Sequence, residues 1–365
     1  MDYELKPEET ALAARVEALL GANPDLTAGA ARAWLARLGE CGYLAAGPGA
    51  DVARLLAGKA LAARAPWLVF AAELQRLAAE LVAEHGALAQ REALLPALRA
   101  GTRVAALAFS EPGRPLEAGP ACRAEPAGEG YALSGQKGPV SLAACCDWLA
   151  VLAATPRGPA VLFVERAAPG VEPGAPLESF GYAELEGRPV SLREVRVPAG
   201  QVLGPLPAAA LPGLIAALRR AEDRLATAAA LGLLARCLEE ARAAASAPRE
   251  GGKPAASHQL VRFELAEMLT QLQTAELLAL RAAAAAAAGS PEAERLGLCA
   301  KVFASEAACR VSDQALGILA GAGYLRSHPV ARALAEARLG CLAGHSSHAA
   351  RLALADDVLA RLAPV

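Results

Sequence analysis

A chain of 365 residues exceeds what one small hydrophobic core supports and predicts two or three packed subdomains. Lys and Arg number 36 against 38 Asp and Glu, with no long run of like charge, which argues against a nucleic-acid groove or an anionic membrane surface as the main partner. The apolar share of 55% comes from alanine and leucine, and no uncharged stretch reaches the roughly 18–20 residues that a membrane span requires.

The opening MDYELKPEET is acidic and polar, reads as neither a secretory nor a transit peptide, and predicts a cytoplasmic protein. Residues 1–104 predict a helical domain, because Trp34, Leu35, Leu38, Tyr43 and Leu44 recur near helical spacing, as do Leu74, Leu77 and Leu81 and then Leu94, Leu95 and Leu98. Over 105–205 the texture changes to short β-rich runs, VAALAF (starting one residue earlier), YALSG, WLAVLAA, AVLFVE and VSLREVRV, separated by Gly and Pro. Strands without intervening helices exclude a doubly wound sheet and predict a compact antiparallel β domain. Residues 206–365 return to long helices, with stripes at Leu211, Leu214, Leu218 and Leu225 and at Val261, Leu265, Leu269 and Leu272, and four such stripes predict a helical bundle. The fold class is therefore α+β: helical domain, β domain, helical bundle.

Eight cysteines are scattered along the chain without a Cys-x-x-Cys spacing. They read as reduced core residues and not as zinc ligands. His345 and His348 lie three residues apart beside Ser346 and Ser347, but no third ligand or orienting acid accompanies them, so no metal is expected.

Several segments carry a resemblance. EHGALAQREALLPALRAGTRVAALAFSEPG (84–113) ends in Ser110-Glu111-Pro112-Gly113, GYALSGQKGPVSLAACCDWLAVLAA begins at Gly130, and LREVRVPAGQVLG spans 192–204. HQLVRFELAEM (258–268) and AKVFASEAACRVSDQALGILAGAGYLRSHPVARALAEAR (300–338) follow. Together they resemble the acyl-CoA dehydrogenase family over nearly the whole chain. The resemblance implies an FAD flavoprotein acting on acyl thioesters carried on coenzyme A or an acyl carrier protein, assembled as a tetramer, with an electron-transferring flavoprotein or a homologous subunit as partner. It places Phe109, Ser110, Val140, Ser141, Arg249, Gly317 and Ser346 at the cofactor.

The departures are specific. Pro139 stands where the family has an aromatic against the flavin, and proline also removes a backbone donor. Pro248-Arg249-Glu250-Gly251-Gly252 replaces Arg-x-x-Phe-Gly, so Arg249 is displaced by one residue and the aromatic is gone. Gly317 replaces the glutamine of Gln-x-x-Gly-Gly, and Pro115-Leu116-Glu117 replaces the Gly-Ser-Asp that helps to hold the thioester arm.

Family chemistry removes an α-proton of the acyl thioester with a carboxylate, usually on Glu-Gly-Thr. Here that tripeptide falls on Gly344-His345-Ser346, and glycine cannot accept a proton. Some members carry the glutamate on the first long helix of the last domain, ten residues before a glycine, and counting back from Gly232 reaches Glu222. Asp223 fits nearly as well, and a solvated charge cluster with Arg219, Arg220 and Arg224 is the alternative structural reading. A base at Glu222 requires a pKa raised by desolvation. Three functions follow: a dehydrogenase with Glu222 as relocated base, a catalytically impaired subunit of a heteromeric enzyme, or a flavin-dependent hydroxylase of the same fold.

Overall fold

The computed structural model describes residues 5–22, 30–47, 49–204, 206–248 and 252–362. Five helices come first, α1 (Pro7–Ala22), α2 (Ala31–Glu40), α3 (Asp51–Arg64), α4 (Pro66–His85) and α5 (Leu88–Arg99). The strands β1 (Ala105–Ala108), β2 (Arg123–Ala127), β3 (Gly130–Val140), β4 (Trp148–Thr155), β5 (Gly158–Glu165), β6 (Val171–Pro173), β7 (Arg188–Pro198) and β8 (Val202–Leu203) follow. The chain continues with α6 (Leu211–Ser246), α7 (Gln259–Ala287), α8 (Ala293–Leu319), α9 (Pro329–Gly340) and α10 (Ser347–Leu362). Two compact units form, one from residues 1–22, 47–69 and 219–365 and the other from 23–46 and 70–218. The first helical segment thus contributes to both; we keep the division near 104 and 205 as a proposal about successive stretches of sequence.

The sheet lies in the second unit, in the order β6-β7-β3-β2-β4-β5-β8, with β1 beside β4. Most neighbours are antiparallel, as the strand-without-helix texture predicts, but β1 and β2 both run parallel to β4. The β2–β3 hairpin is inserted between β1 and β4, so the chain returns to β4 in the direction it left β1. β4 and β5 are buried along nearly their whole length, which explains their unbroken apolar runs.

β7 shows how sequence sets register. Val190 and Leu192 share one face by strict alternation, yet the next buried residues are Val195 and Val197. A register shift opposite Leu133 and Gly135 absorbs the odd residue, and Glu194 takes φ 49 there while its N–H donates to Ser134 Oγ at 3.0 Å. The bulge returns Val195 to the core face.

The helical part of this unit is organised by Trp34, Leu35 and Leu38 of α2, all fully buried at the predicted spacing. Gln75 of α4 is buried with both ends engaged. Its Nε2 donates to the Leu98 and Arg103 carbonyls, and its Oε1 accepts from Ala105 N–H, which ties the end of α5 to the start of β1.

In the first unit, α7 packs on α8, and α8 on α9 and α10. The α7 stripe is not the one read from leucines. Leu272 is buried, but Val261 and Leu265 are half-buried and Leu269 is exposed, and the buried face is Met268, Leu272, Ala275, Ala279, Leu280 and Ala282. Alanines bring two long helices close, so the small residues mark the contact and several large ones are left outside. Gly232 of α6 follows the same logic. A Cβ there would stand 2.4 Å from Ala62 Cβ and 2.5 Å from Ala63 N on α3. Backbone cannot yield cheaply, so Gly232→Val is expected to cost about 3 kcal/mol, read from the shift of the urea unfolding midpoint; a shift below about 1 kcal/mol would show that the helices separate freely.

Candidate functional site

The helical turn Arg219-Arg220-Ala221-Glu222-Asp223-Arg224 sits within α6, and 3.6-residue periodicity divides its charges. Arg220 and Arg224, one turn apart, face solvent. Arg219 and Glu222 are half-buried, and Asp223 is buried. The solvated-cluster reading therefore holds for Arg220 and Arg224 and fails for the acidic pair.

The acidic pair faces the turn that joins α9 to α10. Gly344 has φ 62, and a Cβ on it would lie 2.4 Å from Asp223 Oδ1 and 3.2 Å from the Arg219 carbonyl oxygen. A side chain here strains the left-handed backbone and displaces the Asp223 carboxylate, so the position aligned with the usual glutamate favours glycine. What remains is its backbone. The Gly344 N–H lies close enough to the Glu222 carboxylate to favour its charged form, and the Gly344 carbonyl accepts from Arg219 Nη1 at 2.8 Å.

His345 is held by Asp223 twice. Its backbone N–H donates to Oδ1 at 2.9 Å, and its ring Nδ1 lies 2.6 Å from Oδ2. A carboxylate only accepts, so Nδ1 carries the proton and donates. Lys301 of α8, fully buried, donates Nζ to the His345 carbonyl. Burial holds the Lys301 ammonium below its ordinary pKa, against the opposing pull of Asp223. His348 is exposed, pointing to no shared role with His345.

Burial pushes the Glu222 carboxyl up to about 7, and the neighbouring Asp223 charge adds to it, while the Arg219 guanidinium and the Gly344 N–H act in the opposite direction. A carboxylate that titrates near neutrality has the properties of a general base. The sequence reading identifies Glu222 but misses the Asp223–His345 clamp, whose two halves are 122 residues apart.

In the second unit the structure brings together the two segments expected at the flavin ring. Lys137 of β3, with none of its surface exposed, reaches Glu111 Oε1 at 2.7 Å and the Phe109 carbonyl at 3.3 Å. Gly138 N–H donates to the Ser110 carbonyl at 3.0 Å. Glu111 further accepts from Ala121 N–H at 2.8 Å and Cys122 N–H at 2.9 Å. Burial alone would raise the Glu111 pKa, but Lys137 and these two amides hold it below the usual carboxylate value. The result is a turn in which Phe109 and Val140 are buried, Ser110 is exposed and Ser141 is half-buried.

These groups suit a flavin ring: a hydroxyl on each of two hydrogen-bonded segments, beside buried apolar side chains. The dinucleotide half is served less fully. Ser346 Oγ accepts from Ala349 N–H at 3.2 Å and caps α10, a helix start whose amides favour an anion. Gly317 on α8 is exposed, and a Cβ there would meet nothing within 4 Å, so there is room for the missing amide but no donor. Arg249 lies outside the described residues.

Residues 215–359 match the model for the acyl-CoA dehydrogenase C-terminal domain. A mitochondrial isobutyryl-CoA dehydrogenase of Dictyostelium discoideum is 28% identical over 291 residues, 78% of this chain and 70% of that protein. A benzylmalonyl-CoA dehydrogenase of Aromatoleum aromaticum is 31% identical over 268 residues, 72% of this chain and 70% of that protein. The solved structure of a glutaryl-CoA dehydrogenase from Mycobacterium smegmatis in complex with FADH2 superposes with a TM-score of 0.86 at 20% identity, covering 97% of this chain and 95% of that one. With sequence similarity running through both units and the expected fold around Glu222 and Lys137, the chain belongs to the acyl-CoA dehydrogenase family.

Proposed function

We propose that the protein dehydrogenates an acyl thioester at the α,β-position, with FAD as cofactor and Glu222 as the base. The observation that carries this reading is the half-buried Glu222 carboxylate beside Gly344, the residue that aligns with the usual base; burial pushes the carboxyl up to about 7. The carboxylate is thus supplied from α6 where the turn before α10 favours glycine.

Glu222 takes the α-proton as its carboxylate, which near neutral pH is available without being strongly hydrated. The Arg219 guanidinium, bonded to the Gly344 carbonyl, attracts the charged form of Glu222, and the Asp223–His345 clamp holds the turn that carries Gly344. Ser110 and Ser141, with Phe109 and Val140 behind them, are the contacts for the flavin ring; Ser346 and the first turn of α10 are those for phosphate. FAD held by these residues would supply the hydride acceptor for the β-hydrogen.

The test is the visible spectrum of the purified protein, titrated anaerobically with an acyl thioester. A flavin band near one equivalent per chain, bleached by the thioester, is the expected result. A flavin-loaded protein that no acyl thioester bleaches would remove the dehydrogenase reading.

The open position at Gly317 favours a second reading, a subunit of a mixed assembly whose neighbour supplies the missing donor. That reading predicts a colourless protein when it is expressed alone, with flavin recovered on co-expression with a homologous subunit. Assembly into a tetramer fits the apolar residues left exposed on α7 (Leu260, Phe263, Leu269, Leu277) and on α10 (Leu352, Val358, Leu359). Coenzyme A or a carrier protein as thioester carrier, and an electron-transferring flavoprotein as acceptor, belong to the same proposal. Among the described residues no helix is long and apolar enough to cross a membrane.

A further inference from the structure

The eight cysteines are all free thiols, and two of them are not isolated. Cys309 lies on α8 and Cys341 caps the C-terminus of α9, and their sulfurs are 3.7 Å apart. The approach has a cause in sequence. Gly340, the last residue of α9, allows the helix end to close on α8, where a Cβ would stand 3.1 Å from Ser305 Oγ. Ser305 and Cys309 are one turn apart on the same face, so the residue after Gly340 arrives at Cys309. Both thiols are half-buried.

We infer that Cys309 and Cys341 are an oxidative modification site, a dithiol that a peroxide converts to an intramolecular disulfide, tethering to α8 the turn that carries Gly344 and His345. The inference stands on the thiol geometry and does not depend on the dehydrogenase reading.

Either sulfur can attack, because the two thiols share one hydrogen bond in which either is the donor. With Cys309 as donor, that bond holds the Cys341 pKa below the ordinary thiol value, burial opposes it, and the Lys301 ammonium assists while Glu306 counteracts. The same hydrogen bond raises Cys309, and burial adds to it. With Cys341 attacking, its thiolate breaks the peroxide O–O bond, forming a sulfenic acid and expelling hydroxide, which takes up the proton that Cys341 gave up and leaves as water. Cys309 then loses its proton and displaces the sulfenic oxygen as a second water. Two thiols and one hydrogen peroxide give one disulfide and two waters; the sulfurs lose two electrons and the peroxide oxygens gain them. The sulfurs must close by about 1.7 Å to reach a disulfide bond length, a movement within reach of side-chain rotation at a helix end.

The consequence is local. Ser347 N–H donates to the Cys341 carbonyl at 2.9 Å, so residues 341–347 form a closed turn, and Gly344 and His345 lie inside it. A covalent tie at Cys341 fixes one end of that turn to the helix that already holds His345 through Lys301.

The whole protein is exposed briefly to hydrogen peroxide in small molar excess, quenched by alkylation and mapped by proteolysis without reduction. A loss of about 2 Da per chain, one linked peptide joining Cys309 and Cys341, and its disappearance on adding a dithiol reductant are expected. In Cys309→Ser, Cys341 is expected to be trapped as a sulfenic acid by dimedone. Amides 342–347 should exchange with deuterium about tenfold more slowly in the oxidised protein. The inference is overturned if both thiols remain alkylatable while another cysteine oxidises first, or if the link forms and those amides exchange at an unchanged rate.

Discussion

Glu222→Gln is expected to lower turnover of an acyl thioester by about 10²–10⁴-fold while leaving the flavin content unchanged. Glutamine keeps the size of the side chain and a carbonyl that can accept a hydrogen bond, so the variant removes the proton acceptor and little else. The wild-type rate should rise with pH through about 7, where Glu222 loses its proton, and the residual rate of the variant should lose that limb. Stability carries the opposite sign. The folded state binds the Glu222 proton more tightly than the unfolded chain, so between the ordinary value of 4.5 and about 7 the wild type is destabilised as pH rises, and the variant is not. Full activity in Glu222→Gln would end the base assignment. An unchanged pH limb in the variant would show that the limb does not come from Glu222.

The second large effect belongs to Lys137. Lys137→Met takes away the nearer cation of Glu111, leaving Arg114 Nε 3.9 Å away, in a site where Lys137 has none of its side-chain surface exposed and Glu111 only 8%. Breaking one side of a buried pair costs about 3–5 kcal/mol, and the remaining Arg114 contact, together with the Ala121 and Cys122 amides, puts the loss at the lower end. Chemical unfolding followed by the signal of the β-containing unit should show a loss of that size. The double variant Lys137→Met, Glu111→Leu should recover a good part of it, since an apolar pair carries no such penalty. The same substitution should lower flavin retention, because the pair holds Phe109–Glu111 against Lys137–Gly138. The pH dependence follows from Glu111 being held below its ordinary value. The stabilisation is complete above the ordinary carboxylate range and is lost as pH falls through the depressed value. A Lys137→Met protein as stable and as yellow as wild type would mean that the turn is held by its backbone bonds alone.

Periodicity, turn residues and local motifs were enough to reveal the succession of helices, strands and helices. Trp34, Leu35 and Leu38 are buried where their spacing puts them, and the unbroken apolar runs of β4 and β5 are strands covered on both faces. The candidate base was legible through the family resemblance, which implies a glutamate ten residues before a glycine; the step from Gly232 back to Glu222 lies within one helix and needs no tertiary information. That step also has a physical meaning on each side: Gly232 is the point where α3 touches α6, and Glu222 lies nearly three turns earlier on the same helix.

Contacts between residues far apart in sequence decided the rest. The α7 stripe was misread because leucine spacing carries no knowledge of which neighbour arrives, and close helix packing selected the alanines instead. Asp223 and Glu222 are equivalent as letters in a charged run; they differ only because the turn before α10 folds onto α6, so that Asp223 receives both donors of His345 and Glu222 lies beside Gly344. The preference of position 344 for glycine likewise depends on an atom of Asp223, 121 residues away in sequence. Sequence by itself determined the family and the order of elements, and through the family resemblance it offered Glu222 as a candidate base. Tertiary structure decided that Asp223 is engaged by His345, because desolvation and hydrogen bonding belong to the packed neighbourhood and not to the residue.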